Sequence, residues 1–226
     1  MNEIDRHPDY KKMYGIAVNI FNKKHHFSSG PFDETFFTMR VFESAKNIIK
    51  LIPEHVKTEE ILSATLFHDI GKSKLKIKKI FLKNEWADNF REEWHKHPII
   101  SAKMAKPILK KLGHSEEFVK NVCYLIENHD KRDNFTGKKS LELQIVQDAD
   151  YLGDTGFAGF IRPFLWGGKF KSSVIKQLSY MKINENSRLN LSKINLSISK
   201  ELLKKNAEIE NNLKKSILEL IDSELL

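Results

Sequence analysis

Hydrophobic residues recur along this chain at intervals of three and four, and the sequence has no long alternating runs bounded by hairpin turns. The first spacing puts apolar side chains on one face of an α-helix, whereas a half-buried strand alternates at every second residue. The pattern therefore predicts an all-α protein. The predicted helices cover, in chain order, residues 10–21, 37–52, 58–68, 97–113, 115–129 and 140–156, with an amphipathic helical stretch over 187–226.

Proline and glycine mark the ends of several predicted helices. Pro53 ends the helix that begins near Phe37, and Gly71 stops the helix that runs to His68. Gly113 suits a C-cap, because glycine readily adopts the left-handed conformation that follows a helix. Two segments are less regular: IKKIFLKNEWADNFREEWHK is ambiguous, and GFAGFIRPFLWGGKF is apolar, aromatic and punctuated by glycine. The second segment is expected to pack against the core or to line a pocket.

The bulk composition is that of one ordinary globular domain. The chain has 226 residues, 40% of them hydrophobic, which is enough for one substantial core. No stretch has the unbroken apolar length that crosses a bilayer, and the first residues, MNEIDRHPDY, are too polar for a secretory signal. The single cysteine, Cys123, excludes an internal disulfide. These features predict a cytoplasmic protein without membrane association.

The chain is basic, with a formal net charge of +8. Such a surface could favour an anionic substrate or a nucleic acid. The excess lysines, however, are scattered over several segments with few aromatic residues between them. That distribution is more typical of a solvated lysine-rich face, so a nucleic-acid partner is compatible with the charge but not favoured.

Three histidines lie on the apolar faces of different predicted helices. A polar side chain that leaves water must be hydrogen-bonded or ligated, and a single inward histidine is usually a hydrogen-bonded core residue. Three of them together with several aspartates favour a metal site. A set of imidazole and carboxylate ligands without nearby cysteine suits Mn, Fe, Co, Ni or Zn, with Mg also compatible. It does not suit a structural zinc site, which is built from thiolates. The predicted ligands of one or two divalent ions are His68, Asp69, His97, His129, Asp148 and Asp150.

Asp69 is the predicted centre of this site. A carboxylate can bridge two ions, and two ions a few ångströms apart clamp the attacking and leaving oxygens in phosphoryl hydrolysis. The turn at Gly71 leads directly to Lys72, whose ammonium could hold a substrate phosphate as a point charge. We therefore expect Asp69 and Lys72 to act in catalysis.

The motifs HD at 68–69, HPIISA at 97–102, HD at 129–130 and IVQDADYL resemble, in this order, the HD superfamily of metal-dependent phosphohydrolases. The likeness is greatest to its small bacterial hydrolases, in which HD, HPxxSA and VQDADRL follow one another. It implies a single-domain helical bundle over 30–168, with a helix and loop at 1–29 and a C-terminal helical extension at 169–226 that packs on the core. It also implies hydrolysis of a small phosphorylated substrate, with a nucleotide favoured, by metal-activated water.

The resemblance assigns one ion to the HD pair together with an aspartate of QDADYL, and a second ion to Asp69, His97 and His129. The identity of the last aspartate is open between two positions. On a helical wheel Asp148 shares the apolar face of its helix, whereas matching the ADxL strings of other HD proteins selects Asp150. Both remain candidates.

The first ligand of the family is missing from this chain. In the family it is a histidine three residues before the arginine of an HxxRV motif, and here Phe37 stands at that position in FFTMRV. Phenylalanine offers no ligand atom, and its apolar face favours packing in the core. Asp33, His25 and His26 are close in sequence, so each is a candidate replacement ligand.

Two further positions depart from family motifs. Tyr151 replaces the arginine of DADRL, so any anion contact made by that arginine is absent here. Asn128 replaces the first histidine of the HHExxDG stretch that the HD-GYP phosphodiesterases carry. The second difference argues against a cyclic dinucleotide as substrate.

Two other functions fit the same residues. A degenerate HD domain could bind metal or nucleotide as a sensor without turnover, which the phenylalanine at position 37 favours. Some HD proteins are di-iron oxygenases that use the same histidine and aspartate set. The helical stretch 187–226 could cover the core or mediate a homodimer.

Overall fold

The structure, a computed structural model, describes residues 8–23, 33–75, 94–133, 135–169, 171, 173–183 and 189–224. All regular secondary structure in these residues is helical, which confirms the all-α prediction. The α-helices of the described residues are α1 (Pro8–Asn22), α2 (Glu34–Leu51), α3 (Thr58–Phe67), α4 (His97–Lys111), α5 (Glu116–Asn128), α6 (Leu141–Gly153), α7 (Gly156–Lys169), α8 (Val174–Ile183) and α9 (Ser197–Glu224). Two short 3-10 helices cover Ile70–Lys74 and Leu191–Lys193.

Side chains next to the helices fix several of their ends. Asp33 accepts hydrogen bonds from the backbone N–H groups at the start of α2, and Ser115 and Ser140 do the same for α5 and α6. Gly113 follows α4 with a φ of +91°, as its predicted role as a cap requires. The amide after it, on His114, donates to a carbonyl four residues before Gly113 at 3.2 Å, which satisfies an otherwise free helix end.

The core surrounds α3, in which every residue from 61 to 67 is buried. Helices α1, α2, α5 and α6 all contact α3, and α4 packs against α5 and against the first 3-10 helix. Burial continues past the end of α3 through residues 68–73, so the chain enters the 3-10 helix without leaving the interior. The polar residues of this segment therefore lie inside the protein.

Two glycines allow the close approach of elements around that segment. A Cβ on Gly71 would lie 2.4 Å from the carbonyl oxygen of His97 and 2.6 Å from the amide nitrogen of Ser101, so only glycine fits against the start of α4. The Gly71 N–H donates to the Ser101 hydroxyl at 2.8 Å. At the end of α6, a Cβ on Gly153 would lie 2.7 Å from a methyl group of Val41. The site-bearing loop is thereby held against α4, and α6 against α2.

The observed helices differ from the predicted ones at several boundaries. His68 and His129 follow their helices as C-cap residues instead of ending them from within. Most of the segment GFAGFIRPFLWGGKF forms a helix, α7, and α8 lies inside the predicted helical extension 169–226, before the stretch at 187 that periodicity had marked. The ambiguous segment 77–96 lies almost entirely outside the described residues.

The C-terminal segment becomes α-helical at Ser197, later than the predicted start at 187. The preceding amides of Asn195 and Leu196 are taken up by the carboxylate of Asp148, at 2.8 and 2.9 Å, so they serve to dock the segment. Leu203 of α9 and Ile194 join the main core cluster. None of the described helices has both the length and the apolar character needed to cross a membrane. A homodimer through α9 stays a prediction.

Candidate metal centre

The predicted site residues come from four separate elements that meet in the interior. His68 and Asp69 connect α3 to the first 3-10 helix, His97 is the first residue of α4, and His129 follows α5. These four side chains are buried. Asp150 of α6 completes the group and keeps 15% of its side chain exposed.

Each of the three histidines makes the same contact with its own backbone. The ring Nδ1 lies within hydrogen-bond distance of the carbonyl oxygen three residues earlier, and a carbonyl can only accept, so Nδ1 carries the proton. A ring that carries its proton on Nδ1 keeps a free lone pair on Nε2 whenever it is neutral, as a metal ligand requires. The accepting carbonyls are those of Thr65 for His68 (2.7 Å), Trp94 for His97 (2.6 Å) and Ile126 for His129 (2.7 Å).

One oxygen of Asp69 faces two of these rings. Asp69 Oδ1 lies 3.1 Å from His97 Nε2 and 3.8 Å from His129 Nε2, and the two nitrogens are 3.3 Å apart. Ligand atoms that are each about 2.0–2.1 Å from a tetrahedral ion are roughly 3.3–3.4 Å from one another. We call this group, Asp69 Oδ1 with His97 and His129, the imidazole half of the centre. Two of its three distances, 3.1 and 3.3 Å, are close to that spacing, and the third, between Asp69 Oδ1 and His129 Nε2, is longer at 3.8 Å.

The other oxygen of Asp69 faces a more crowded group. His68 Nε2 lies 3.2 Å from Asp69 Oδ2 and 3.3 Å from Asp150 Oδ1, and Lys72 Nζ lies 2.5 Å from Asp69 Oδ2. We call this group, Asp69 Oδ2 with His68, Asp150, Lys72 and the nearby Phe37, the Phe37 half. Asp69 thus stands between two clusters of potential ligands, as a bridging carboxylate would.

The polar atoms at the centre fit a cation. His68 Nε2 and Asp69 Oδ1 are buried and make no hydrogen bond. Two imidazoles that are both protonated at Nδ1 would point their lone pairs at each other across the 3.3 Å between His97 and His129. Ligand atoms of His68, Asp69 and His129 all lie within 4.8 Å of one another. Nitrogen and carboxylate donors of this kind suit a divalent transition-metal ion.

The charges of the group are strongly coupled. Burial opposes charge on His68, but the carboxylates of Asp69 and Asp150 outweigh it and raise the pKa of His68 to about 10. Burial also opposes charge on Asp69, yet His68 and Lys72 hold the pKa of that carboxyl well below its usual value. For His129, burial and the nearby positive charge of His68 lower the pKa to about 4. His129 is therefore neutral at physiological pH and available as a ligand.

Sequence reasoning missed Arg132, which holds Asp150 in place. Its Nη2 donates to Asp150 Oδ2 at 2.6 Å and to the Gln147 carbonyl at 2.8 Å. Its guanidinium also lies over the ring of Tyr151, 5.4 Å from the centroid. Tyr151 occupies the position at which the resembling motif has arginine. The guanidinium that lies over its ring comes from a different part of the chain, from Arg132. The lost arginine was the only signal in the sequence that such a partner was needed.

Asp148 lies two residues from Asp150 but is turned towards the C-terminal segment. Its carboxylate accepts hydrogen bonds from the backbone amides of Asn195 and Leu196, and from the Asn195 side chain at 2.8 Å. Burial raises the pKa of Asp148, against the lowering effect of those bonds. The structure thus brings Asp150, and not Asp148, next to the imidazoles, although the helical wheel had favoured Asp148.

Lys72 is a buried residue. Its ammonium contacts Asp69, lies 3.4 Å from Glu34 Oε2 and sits 4.8 Å from the ring centroid of Trp94. Burial opposes its charge, but Asp69 and Glu34 raise the pKa of Lys72 above its ordinary value. The lysine therefore carries its charge inside the site.

Phe37 is buried beside the centre, with its ring centroid 5.8 Å from that of His68. Three cations surround the ring: Arg162, Lys72 and Arg40 lie 4.6, 5.4 and 5.7 Å from its centroid. Burial and repulsion from Arg162 lower the pKa of Arg40 to about 10. This corner of the site is thus apolar at its centre and positive at its edges.

Asp33, the one candidate replacement for the histidine missing at position 37 that the structure describes, does not serve as a ligand. Asp33 is occupied as the cap of α2, with Oδ1 accepting from the Thr35 amide at 2.8 Å and from the Phe36 amide at 3.2 Å. His25 and His26 lie outside the described residues.

The chain is similar to a known protein family and to several solved structures. Residues 36–153 match the family described as HD domain. Bacillus subtilis YpgQ in complex with ADP is 18% identical, with a TM-score of 0.60 over 92% of this chain and 97% of that chain. An HD-superfamily hydrolase from Bacillus thuringiensis is also 18% identical, with a TM-score of 0.61 over 94% and 96%. At such identities the likeness shows the fold. A search of curated proteins gave no match.

Proposed function

This chain belongs to the HD domain family, and from that premise we propose that it is a metal-dependent phosphohydrolase of a nucleotide or another small phosphate ester. One observation carries the proposal: imidazole nitrogens from three different elements face the two oxygens of one buried carboxylate, Asp69. Around Asp69 Oδ1 and the facing Nε2 atoms of His97 and His129, lone pairs lie close together without a protein cation, which is costly in a protein interior unless a metal ion binds them.

The ligands of the proposed centre are imidazoles and carboxylates only. They favour Mn, Fe, Co, Ni or Zn, whereas Mg prefers a shell of oxygen atoms. A bound ion would supply Lewis acidity toward a phosphate ester and lower the pKa of water. Asp148 is left out of the proposed set, since its carboxylate binds Asn195 and Leu196. The candidate metal ligands are therefore His97 and His129 on the imidazole half, His68 and Asp150 on the Phe37 half, and Asp69 between them.

The substrate phosphate is proposed to bind on the side of Lys72. Its contact with Glu34, at 3.4 Å, is at the long end of hydrogen-bond distances, so a phosphate oxygen would be a stronger partner. Arg162 reaches the other oxygen of Glu34, also at 3.4 Å, and adds a second cation. The rings of Phe37 and Trp94 flank the ammonium and restrict water around it. Lys72 thus orients the anion while Asp69 fixes the lysine.

A nucleotide is the favoured substrate class. The structurally similar YpgQ was crystallised with ADP, and its fold covers nearly the whole of this chain. A nucleoside phosphate also suits the basic character of the protein, because its net charge of +8 attracts anions.

Binding without turnover is a second candidate function, and Phe37 is the observation that favours it. The family places a histidine ligand at this position, whereas here Phe37 packs beside His68 and the nearby Asp33 is occupied as the cap of α2. A protein with a weakened centre could bind metal and nucleotide as a sensor.

A single experiment separates these functions. Purified protein is stripped of metal, reloaded separately with Mn, Co, Ni, Fe, Zn or Mg, and incubated with nucleoside mono-, di- and triphosphates and generic phosphate esters. Released phosphate or pyrophosphate, abolished by a chelator, supports the hydrolase. A rise in melting temperature with metal and nucleotide, without any product, supports the sensor. Oxygen uptake by the iron-loaded protein supports a di-iron oxygenase, the other function that the sequence allows.

A further inference from the structure

We propose that this centre holds one divalent ion, on the imidazole half, and that the ammonium of Lys72 supplies the positive charge on the Phe37 half. The inference rests on the metal dependence proposed above and deepens it. Distances alone do not choose between the halves, because the potential ligand atoms are 3.1–3.8 Å apart on one side and 3.2–3.3 Å apart on the other. The cations of the protein make the difference.

Lys72 already occupies the oxygen that an ion on the Phe37 half would need. Its Nζ lies 2.5 Å from Asp69 Oδ2, and His68 Nε2 lies 3.2 Å from the same oxygen. Glu34 holds the ammonium from its other side. A divalent ion on Oδ2 would therefore face a fixed positive charge a few ångströms away, and that repulsion is strong in a buried site.

The second carboxylate of the Phe37 half is compensated in the same way. Asp150 turns Oδ1 to His68, but its Oδ2 is held by the guanidinium of Arg132 at 2.6 Å. Both carboxylates that could serve an ion here thus have a protein cation. Phe37 packs beside His68 on this half and offers no ligand atom. Three cations also lie around its ring.

The imidazole half has none of these compensations. Within the described part of the chain, no lysine or arginine pairs with Asp69 Oδ1, and this buried oxygen makes no hydrogen bond. The facing nitrogens of His97 and His129 have their protons fixed on Nδ1 by backbone carbonyls. Three ligand atoms and no competing cation are what a catalytic ion with an open position requires.

The first test is to count and locate the metal. Wild-type protein reloaded with Mn²⁺ or Zn²⁺ and dialysed should contain about one ion per chain by elemental analysis, the number that a single three-ligand site holds. Anomalous scattering should place that ion between Asp69, His97 and His129. His129→Ala should lose the ion, whereas His68→Ala should retain most of it, and melting curves show whether each variant is folded.

The second test restores the missing ligand. Phe37→His should raise the metal content towards two ions per chain when combined with Lys72→Met, which removes the competing ammonium. Phe36→His is the matched control, because Phe36 neighbours Phe37 but is 47% exposed and directed away from the core. It should leave the metal content at the wild-type value.

The outcomes separate this inference from the proposed function. Two ions in the wild type, or loss of the ion from His68→Ala but not from His129→Ala, overturns the one-ion inference and leaves a metal-dependent hydrolase intact. Unchanged metal content in the double variant, with the variant folded, also counts against it. Absence of metal from both the wild type and the double variant would overturn the proposed function together with the inference.

Discussion

The two halves of the centre share one carboxylate but differ in how its charge is balanced. On the imidazole half, Asp69 Oδ1 faces two histidines and no protein cation. On the Phe37 half, Oδ2 faces one histidine and a buried lysine. Replacing a single ligand by phenylalanine therefore leaves a complete set of donors on one side and an internally neutralised cluster on the other. The proposed single ion would therefore use only the half whose donors have no protein cation beside them.

The packing of the helices explains why the halves can differ. The imidazole half is built by α4 and α5, which pack closely against each other. The Phe37 half depends on α2, which carries Phe37, Glu34 and Arg40 on successive turns and packs on α6. A change on α2 therefore alters the second group while leaving the geometry of the first in place.

Removal of the shared carboxylate should have the largest effect. Asp69→Asn keeps the shape of the side chain but removes the charge that faces both halves, so metal binding and phosphate release should fall to background. The measurements are elemental analysis and a phosphate-release assay on reloaded protein. Asp133→Asn removes an exposed carboxylate that pairs with Lys193 and should change neither quantity. Phosphate release retained by folded Asp69→Asn would contradict the role of this residue.

Removal of the lysine should separate charge from metal binding. Lys72→Met keeps a long apolar side chain beside Phe37 and Trp94 but deletes the ammonium, so phosphate release should fall roughly 10²–10³-fold, as for loss of one preorganised charge contact. Metal content should stay at or above the wild-type level, because the imidazole half is untouched. Lys74→Met, in the same 3-10 helix but exposed, should behave like the wild type. Metal lost along with activity would show that Lys72 does not act as a separate charge.

Sequence patterns were sufficient for the fold class and for the elements that carry the site. Apolar spacing of three and four predicted the all-α fold, and glycine chemistry predicted the end of α4 at Gly113. The histidines could be singled out because each ends or begins an apolar helical face. Why they stay there is visible only in the structure: the Nδ1 of each ring donates to the carbonyl three residues back, which fixes the ring within the interior.

Contacts between elements distant in sequence could not be predicted in this way. The periodicity of α6 favours Asp148, but the structure brings Asp150 to the imidazoles, because a segment 47 or 48 positions later captures the carboxylate of Asp148. The pairing of Arg132 with Asp150 and that of Arg162 with Glu34 likewise arise from tertiary packing. Charge compensation of a buried site is a property of the assembled fold.

The next prediction concerns Gly71, which lies between Asp69 and Lys72 in the sequence. Gly71 lets the 3-10 helix that carries Lys72 lie directly on the start of α4, where a Cβ would approach the His97 carbonyl oxygen to 2.4 Å. Gly71→Ala should lower the free energy of unfolding by about 1–3 kcal/mol, because backbone atoms must move apart. Denaturant unfolding measures this change.

Gly15 provides the control for that substitution. It lies within α1 and has nothing within 4 Å of a built Cβ, so Gly15→Ala should raise the free energy of unfolding by about 0.5–1 kcal/mol. If Gly71→Ala changed the free energy of unfolding as little as Gly15→Ala does, the contact between the 3-10 helix and α4 would be looser than the structure indicates.

A smaller loss of stability than at Gly71 is expected at Arg132, which compensates Asp150 on the Phe37 half. Arg132→Gln removes the charged contact to Asp150 Oδ2 and should lower the free energy of unfolding by about 1–2 kcal/mol. Lys138→Gln removes an exposed charge from the same loop and should have no comparable effect. Metal content should not fall in either variant, since Arg132 contacts none of the atoms of the imidazole half. If Arg132→Gln instead raised the metal content above the wild-type value, an ion would have entered the Phe37 half once Asp150 was released, and Arg132 would share with Lys72 the role of excluding it.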